Sequence, residues 1–301
     1  MSACSVSGRS LPAQPVQPTK EVPAADVSTH PLSPAVAAAH FTYELPEATM
    51  HVVRINPQVA SISVAIADEL QTLDAIARQQ EAIIAINAGF FDPQNGKTTS
   101  YLFSEGQLAG EPANNERLMD NPDLQSYLPS ILNRSEFRHY RCGDTAESDT
   151  AESDAAESDT YEIARREDDI PANCRLKNAV GGGPQLLPID TSTAEAFVDY
   201  DNGVLIRDAI GSMQPNARSA VGIHGSTDEI IFIMAAQRAD APGVTLAELT
   251  EFAETLGVAS LLNLDGGSSS TLFYSDRTYT ARLDADGLPI ERPVKSVILV
   301  K

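Results

Sequence analysis

Apolar residues fall in short blocks along this chain, and the spacing within each block predicts its element. Residues 50–55 (Met-His-Val-Val-Arg-Ile) and 61–66 (Ser-Ile-Ser-Val-Ala-Ile) are rich in β-branched side chains and read as two strands turned at Asn56-Pro57. Over 70–80 the apolar positions become Leu70, Leu73, Ile76 and Ala77, a helical period. A short buried strand, 82–86, runs into Asn87-Ala-Gly-Phe-Phe-Asp92, and Tyr101-Leu-Phe103 with Glu105-Gly106 predicts a hairpin. Order resumes at Asn178-Ala-Val-Gly-Gly-Gly-Pro-Gln-Leu-Leu187. Strands at 219–223 and 230–234 then form a hairpin turned at His224-Gly225. Residues 245–256 predict a second helix, with Thr245 as cap and Glu248 three residues on to close the capping box. Another buried strand, 259–264, ends in Asp265-Gly-Gly-Ser-Ser-Ser-Thr271, and 294–300 is a last strand.

Two stretches share this layout: hairpin, helix opening near Thr72-Leu73 or Thr245-Leu246, then a short apolar strand ending in Asn87-Ala-Gly89 or Asp265-Gly-Gly267. The expected fold is therefore α+β, with mixed β-sheets and packed helices built from two β-β-α-β units in one domain over 41–301. A pseudo-dyad relating the units would bring Asn87 and Asp265 together at equivalent strand ends. Residues 1–40, rich in Pro, Ala, Ser and Val, read as a disordered tether. Residues 143–170 read as a disordered acidic insert. Thr-Ala-Glu-Ser-Asp stands at 145–149 and 150–154 and Ala-Ala-Glu-Ser-Asp at 155–159, a repeat with no apolar face to bury.

The 301 residues, 42% of them hydrophobic, suffice for a sizeable core. Lys+Arg 21 against Asp+Glu 42 gives a net charge of −21, which argues against nucleic acid or an anionic membrane as partner. An anionic substrate would have to be held by a few local cations. No apolar run is long enough to span a bilayer. Met1-Ser-Ala-Cys4 resembles the lipidated end of a bacterial lipoprotein, and Cys142 and Cys174 flank the acidic insert as a disulfide could. Both features point outside the cytoplasm: secreted, periplasmic or lipid-anchored.

The five histidines have no metal-ligand spacing, and neither a nucleophile elbow nor a Walker loop is present, so no cofactor or metal is called for. Glycine-rich strand ends remain. Asp265 would be held rigidly at the end of a buried strand. Gly266 and Gly267 would let the backbone approach a ligand, and Ser268, Ser269 and Thr271 would add hydroxyls around an anion-sized nest. Gly182 and Gly183 would supply space and backbone donors, and Arg218 has the planar fork suited to phosphate.

Asn87-Ala-Gly-Phe-Phe, Ala179-Val-Gly-Gly-Gly-Pro-Gln-Leu-Leu, Ala217-Arg-Ser-Ala-Val-Gly-Ile, Asn263-Leu-Asp-Gly-Gly-Ser-Ser-Ser and Arg292-Pro-Val occur in that order. Over about 40–301 the chain resembles the phosphodiester glycosidase family, departing from it at Ser219, where Thr is expected, and at Ala88, where Gly is common. The resemblance implies hydrolysis of a sugar C1–O bond whose leaving group is a phosphate monoester. With a second pKa of about 6, that group leaves with little acid assistance. Asp265 would be nucleophile or base and Arg218 the phosphate ligand. Asn87, with Gly89, would contact sugar or phosphate, and Arg292 would be a second cation. Asp92 and Glu291 are nominees for a second carboxylate. The partner implied is a small molecule or glycan carrying a sugar-phosphate. A non-catalytic phosphoglycan-binding protein and a metal-dependent phosphodiesterase are the competing readings.

Overall fold

A computed structural model describes residues 32, 37–143 and 157–301. In chain order the strands open with β1 (Ala38–Glu44), β2 (Thr49–Ile55) and β3 (Ile62–Gln71), followed by helix α1 (Leu73–Gln79) and β4 (Ile84–Asn87). β5 (Leu102–Ser104) and β6 (Gln107–Gly110) form a hairpin, and the one-turn helices α2 (Glu116–Met119) and α3 (Leu128–Ile131) lead to β7 (Ser135–Cys142). β8 (Ser158–Arg165), β9 (Cys174–Gly181), β10 (Gln185–Leu187), β11 (Val198–Asp201) and β12 (Val204–Asp208) follow. The last third holds β13 (Arg218–His224), β14 (Ile230–Ala236), α4 (Leu246–Thr255), β15 (Val258–Asn263), β16 (Thr271–Tyr274), β17 (Arg277–Thr280) and β18 (Val294–Val300).

The strands assemble into a first sheet ordered β1-β2-β14-β13-β15-β10, a second ordered β17-β16-β4-β18-β3, a third ordered β6-β5-β9-β7-β8, and the separate ribbon β11-β12. The first two sheets pack face to face, and alternation along each strand shows how. In β14, Ile230, Phe232 and Met234 join Val53 of β2, Ile86 of β4 and Ile298 of β18 between the sheets. Ile231 and Ile233 point the other way, onto Leu246, Leu249 and Phe252 of α4. On the far side of the second sheet, Ala85, Val297 and Leu299 pack on Leu73 and Ile76 of α1. The layers are helix, sheet, sheet, helix. Strands buried on both faces explain why residues 84–86 of β4, all of β14 and residues 297–300 of β18 read as continuous apolar runs.

Among the described residues the architecture is mostly β-sheet with four α-helices. The sheets are not mixed: every ladder among the described residues is antiparallel. Crossover α4 returns β15 in the same direction as β14, but β13 lies between them and runs opposite to both. Likewise α1 connects β3 to β4 across an intervening β18. Here the layout differs from the sequence expectation, since β2 and β3 lie in different sheets and the place of β2 in the first unit is taken by β18. Asn56-Pro57 does reverse the chain, and local turn chemistry carries no information about which sheet receives the next strand.

The tether falls mainly outside the described residues, although Leu32 donates its N–H to Glu229 Oε1 at 2.7 Å. Among the described residues regular structure opens at Ala38, just ahead of the expected domain start at 41. Within 143–170, residues 144–156 lie outside the described residues and Ser158–Arg165 is strand β8, paired along its length with β7. The strand holds there because its charges find partners: Glu157 binds Arg141 and Arg175, Asp159 binds Arg141 and His139, and Glu162 accepts from Tyr140. Cys142 and Cys174, opposed in the β7–β9 ladder, form a disulfide. Cys4 lies outside the described residues. No helix among those described is long and apolar enough to cross a membrane.

Candidate active site

Asp265 lies where the first two sheets meet. Leu264 N–H donates to Ser219 O of β13 at 2.8 Å, and Asp265 N–H donates to Ala88 O beyond β4 at 2.9 Å, so both sheets hold this turn. Asn87, 0% exposed, ties them further. Its Nδ2 donates to Asp265 O at 2.5 Å, while Oδ1 accepts from Ser219 Oγ at 2.7 Å and Thr271 N–H at 3.1 Å. The two strand ends thus come together as expected, but Asn87 is a strut and is not placed to bind substrate.

The carboxyl of Asp265 is enclosed by protein on most sides, and burial pushes its pKa up to about 6. The Ser269 hydroxyl, the charge of Arg292 and the Gly266 N–H all oppose that shift. Ser269 Oγ nevertheless makes no hydrogen bond of good geometry, and Ser270 Oγ and Thr271 Oγ1 are likewise buried without partners. Arg292 donates to Ser268 Oγ at 3.1 Å and lies over the Phe91 ring, 5.0 Å from its centroid. It forms no ion pair with a carboxylate among the described residues, so most of its fork remains available.

The structure does not give Arg218 a phosphate-binding role. It is 2% exposed, and it donates from Nε to Val244 O, from Nη1 to Ile210 O, and from Nη2 to Gly211 O and Gln214 O. Burial lowers its pKa to about 10, with Asp208 opposing. Its fork has found a ring of backbone carbonyls, the other ligand to which five planar donors are suited.

Three glycines expected at the ligand are packing positions. Gly89 donates to Ser296 Oγ, Gly182 to Ser135 O and Gly183 to Asn263 O, which leaves none of these N–H groups for a ligand. Gly183 has φ +117°, and a Cβ there would overlap Glu195 Oε2 and meet the Phe197 ring at 2.6 Å. Gly183→Ala is expected to lower stability by about 3 kcal/mol or more, combining backbone strain and overlap; urea unfolding checks this. In the turn itself Gly267 N–H donates to Ala217 O, Ser269 N–H to Gly266 O and Ser270 N–H to Gly267 O. Backbone donors therefore close the turn instead of forming a nest, and Ser268 is the hydroxyl engaged with a cation.

Of the nominees for a second carboxylate, Asp92 is occupied by Arg117 at 2.6 Å and Gln94 N–H at 2.8 Å, and Glu291 is exposed on the surface. Sequence reasoning missed Phe91, whose ring supports Arg292, and also Arg282, which donates to Asn216 Oδ1 at 2.7 Å beside Gly267. Phe91 sits in the Asn87-Ala-Gly-Phe-Phe motif and could have been found there. Arg282 stands in no motif. A surface recess of about 380 Å³ lined by Gln237, Arg238, Leu283 and Asp284 contains neither Asp265 nor Arg292. The turn that carries Asp265 lies at the strand ends instead.

Residues 80–301 match the phosphodiester glycosidase family. Among solved structures, the chain is similar to the catalytic domain of zebrafish N-acetylglucosamine-1-phosphodiester alpha-N-acetylglucosaminidase auto-inhibited by its pro-peptide. The identity is 16% and the TM-score 0.61, covering 91% of this chain and 86% of that one. It is also similar to a hypothetical protein from Synechocystis, at 19% identity and TM-score 0.54, covering 87% of this chain but spanning 61% of that one. At these identities the likeness is one of fold. Curated protein sequences give no match.

Proposed function

Because this chain belongs to the phosphodiester glycosidase family, as the match over 80–301 shows, we propose that it hydrolyses the C1–O bond of a sugar-1-phosphodiester, giving free sugar and a phosphomonoester. The observation that carries this reading is that an enclosed carboxylate, Asp265, and an arginine with no ion-paired carboxylate among the described residues, Arg292, meet at one turn. As the C1–O bond breaks, its electron pair leaves with the phosphate oxygen and positive charge develops at C1; water bonds to C1 and gives up one proton to the phosphate or to solvent. Asp265 supplies the negative charge that meets it, Arg292 neutralises the departing phosphate, and the oxygen of water ends on the sugar. In this reading Ser268 orients Arg292, Phe91 supports its face, and Asn87, Ser219 and Arg218 hold the turn without touching substrate.

The substrate is a small molecule or glycan bearing a sugar-1-phosphate. The Cys142–Cys174 disulfide supports a place outside the cytoplasm. The test is hydrolysis of a sugar-1-phosphodiester in oxygen-18 water, with and without EDTA. Label in the sugar, insensitive to EDTA, is the expected result. Label in the phosphate, abolished by EDTA, would establish the phosphodiesterase reading instead. Ligand binding with no product would leave the protein a phosphoglycan binder.

A further inference from the structure

We propose that Arg282 is a second substrate-binding cation, so that the leaving phosphate is held from two sides of the Gly266–Ser270 turn. The proposal deepens the reading above and rests on it for the identity of the ligand. Arg292 approaches the turn at Ser268. Arg282 approaches it at Gly267: a Cβ on that glycine would lie 3.9 Å from Arg282 Nη1 and 3.6 Å from Asn216 Nδ2. At those distances a guanidinium and an amide stand in ordinary van der Waals reach of the glycine's α-carbon face, so both groups border the turn directly. Gly267 has φ +62°, a conformation glycine adopts freely, and with no side chain there none stands between the turn and the two groups.

Arg282 is held but not neutralised. Asn216 Oδ1 accepts from Nη1 at 2.7 Å and also takes the Ala217 N–H at 3.0 Å, so the amide is fixed to the backbone just ahead of β13. Among the described residues no carboxylate forms an ion pair with Arg282. The guanidinium is half-buried, and with a single acceptor it retains donors for a second planar partner. In a chain of net charge −21, an anion is drawn to this turn only by local cations; Arg218 beside Gly266 has its fork committed to carbonyls, whereas Arg282 and Arg292 keep donors in reserve. The diester phosphate has two non-bridging oxygens, one for each arginine.

The test uses the full chain, with inorganic phosphate as the binding probe in calorimetry and a sugar-1-phosphodiester as the kinetic substrate. Arg282→Met is expected to weaken phosphate binding and raise KM by about tenfold or more, the range for a lost charged hydrogen bond. Its kcat should fall less than that of Arg292→Met, because Arg292 is the cation whose field reaches Asp265. Arg282→Lys, which keeps the charge on a side chain of similar reach, should recover part of both losses and guards against a folding defect in the first variant. Phosphate affinity and KM within about twofold of wild type in folded Arg282→Met would overturn the proposal. So would a wild-type chain that binds no phosphate. If the wild type hydrolyses no sugar phosphodiester but Arg282→Met still weakens phosphate binding, the assignment of Arg282 stands and the hydrolase reading falls.

Discussion

Asp265→Asn is expected to lower kcat on the order of a thousandfold, the scale on which positioned acid–base groups act, while making the folded protein more stable at neutral pH. The two effects have one cause. Burial raises the carboxyl of Asp265 to about 6, whereas in the unfolded chain it titrates near 4. Between those values the folded state binds more protons than the unfolded one, so stability falls as pH rises from about 4 to about 6. Above pH 6 the native protein carries an ionised carboxylate where a neutral group is preferred, at a penalty of up to about 3 kcal/mol. Asparagine removes that penalty with nearly the same shape. The melting temperature of Asp265→Asn should therefore exceed that of wild type at pH 7 and converge with it below pH 4. Wild-type activity should rise with pH through about 6 as the carboxylate ionises. An activity limb that falls through this range would make Asp265 an acid instead, and equal melting temperatures at pH 7 would show that the site does not strain the fold.

Arg218→Met is expected to do the reverse, lowering stability by roughly 4 kcal/mol while leaving substrate affinity little changed. Removing the guanidinium strands the carbonyls of Ile210, Gly211, Gln214 and Val244 in a buried place, and each buried acceptor left unpaired costs about 1–3 kcal/mol, partly relieved by relaxation. Arg218→Lys should recover only a fraction, since an ammonium cannot reach four carbonyls arranged around a planar fork. Urea unfolding measures the loss, and KM measured below the transition separates the roles. A tenfold rise in KM at wild-type stability would return Arg218 to the phosphate.

These two residues also show what was legible in the amino-acid sequence. Asp265 was legible because its position follows from local signals: an apolar strand with polar and glycine residues after it fixes a carboxylate at a strand end. The capping box of Thr245 and Glu248 and the turn at His224-Gly225 were readable for the same reason, and the structure carries both. The direction of the Arg218 side chain was not legible, because its acceptors come from loop 210–214 and from Val244, segments that its neighbours in sequence do not specify. Asn87 stood at the predicted strand end beside Asp265, yet whether its amide faces ligand or protein depends on Ser219 and Thr271 arriving from elsewhere. The sheet partners of β2 and β3 were hidden likewise, since period-2 alternation shows that a strand is buried but not by what. The role proposed for Arg282 left no trace because it depends on Asn216, 66 positions away, holding the guanidinium beside Gly267.

The placement of β18 bears on how this protein is made. It runs between β3 and β4, with Ile298 beside both Val64 and Ile86, yet it is synthesised long after either. Until Val294–Val300 emerges, the facing edges of β3 and β4 have no partner, and their apolar side chains wait beside unpaired backbone groups, the kind of surface that recruits other chains. The second sheet closes in one late step across a very long sequence separation, which implies slow folding. A nascent chain of this kind benefits from being kept unfolded until β18 has been made, by a holding chaperone or by passage through an export channel. The production yield of this protein should then depend more on what guards those two edges than on the stability of the finished fold.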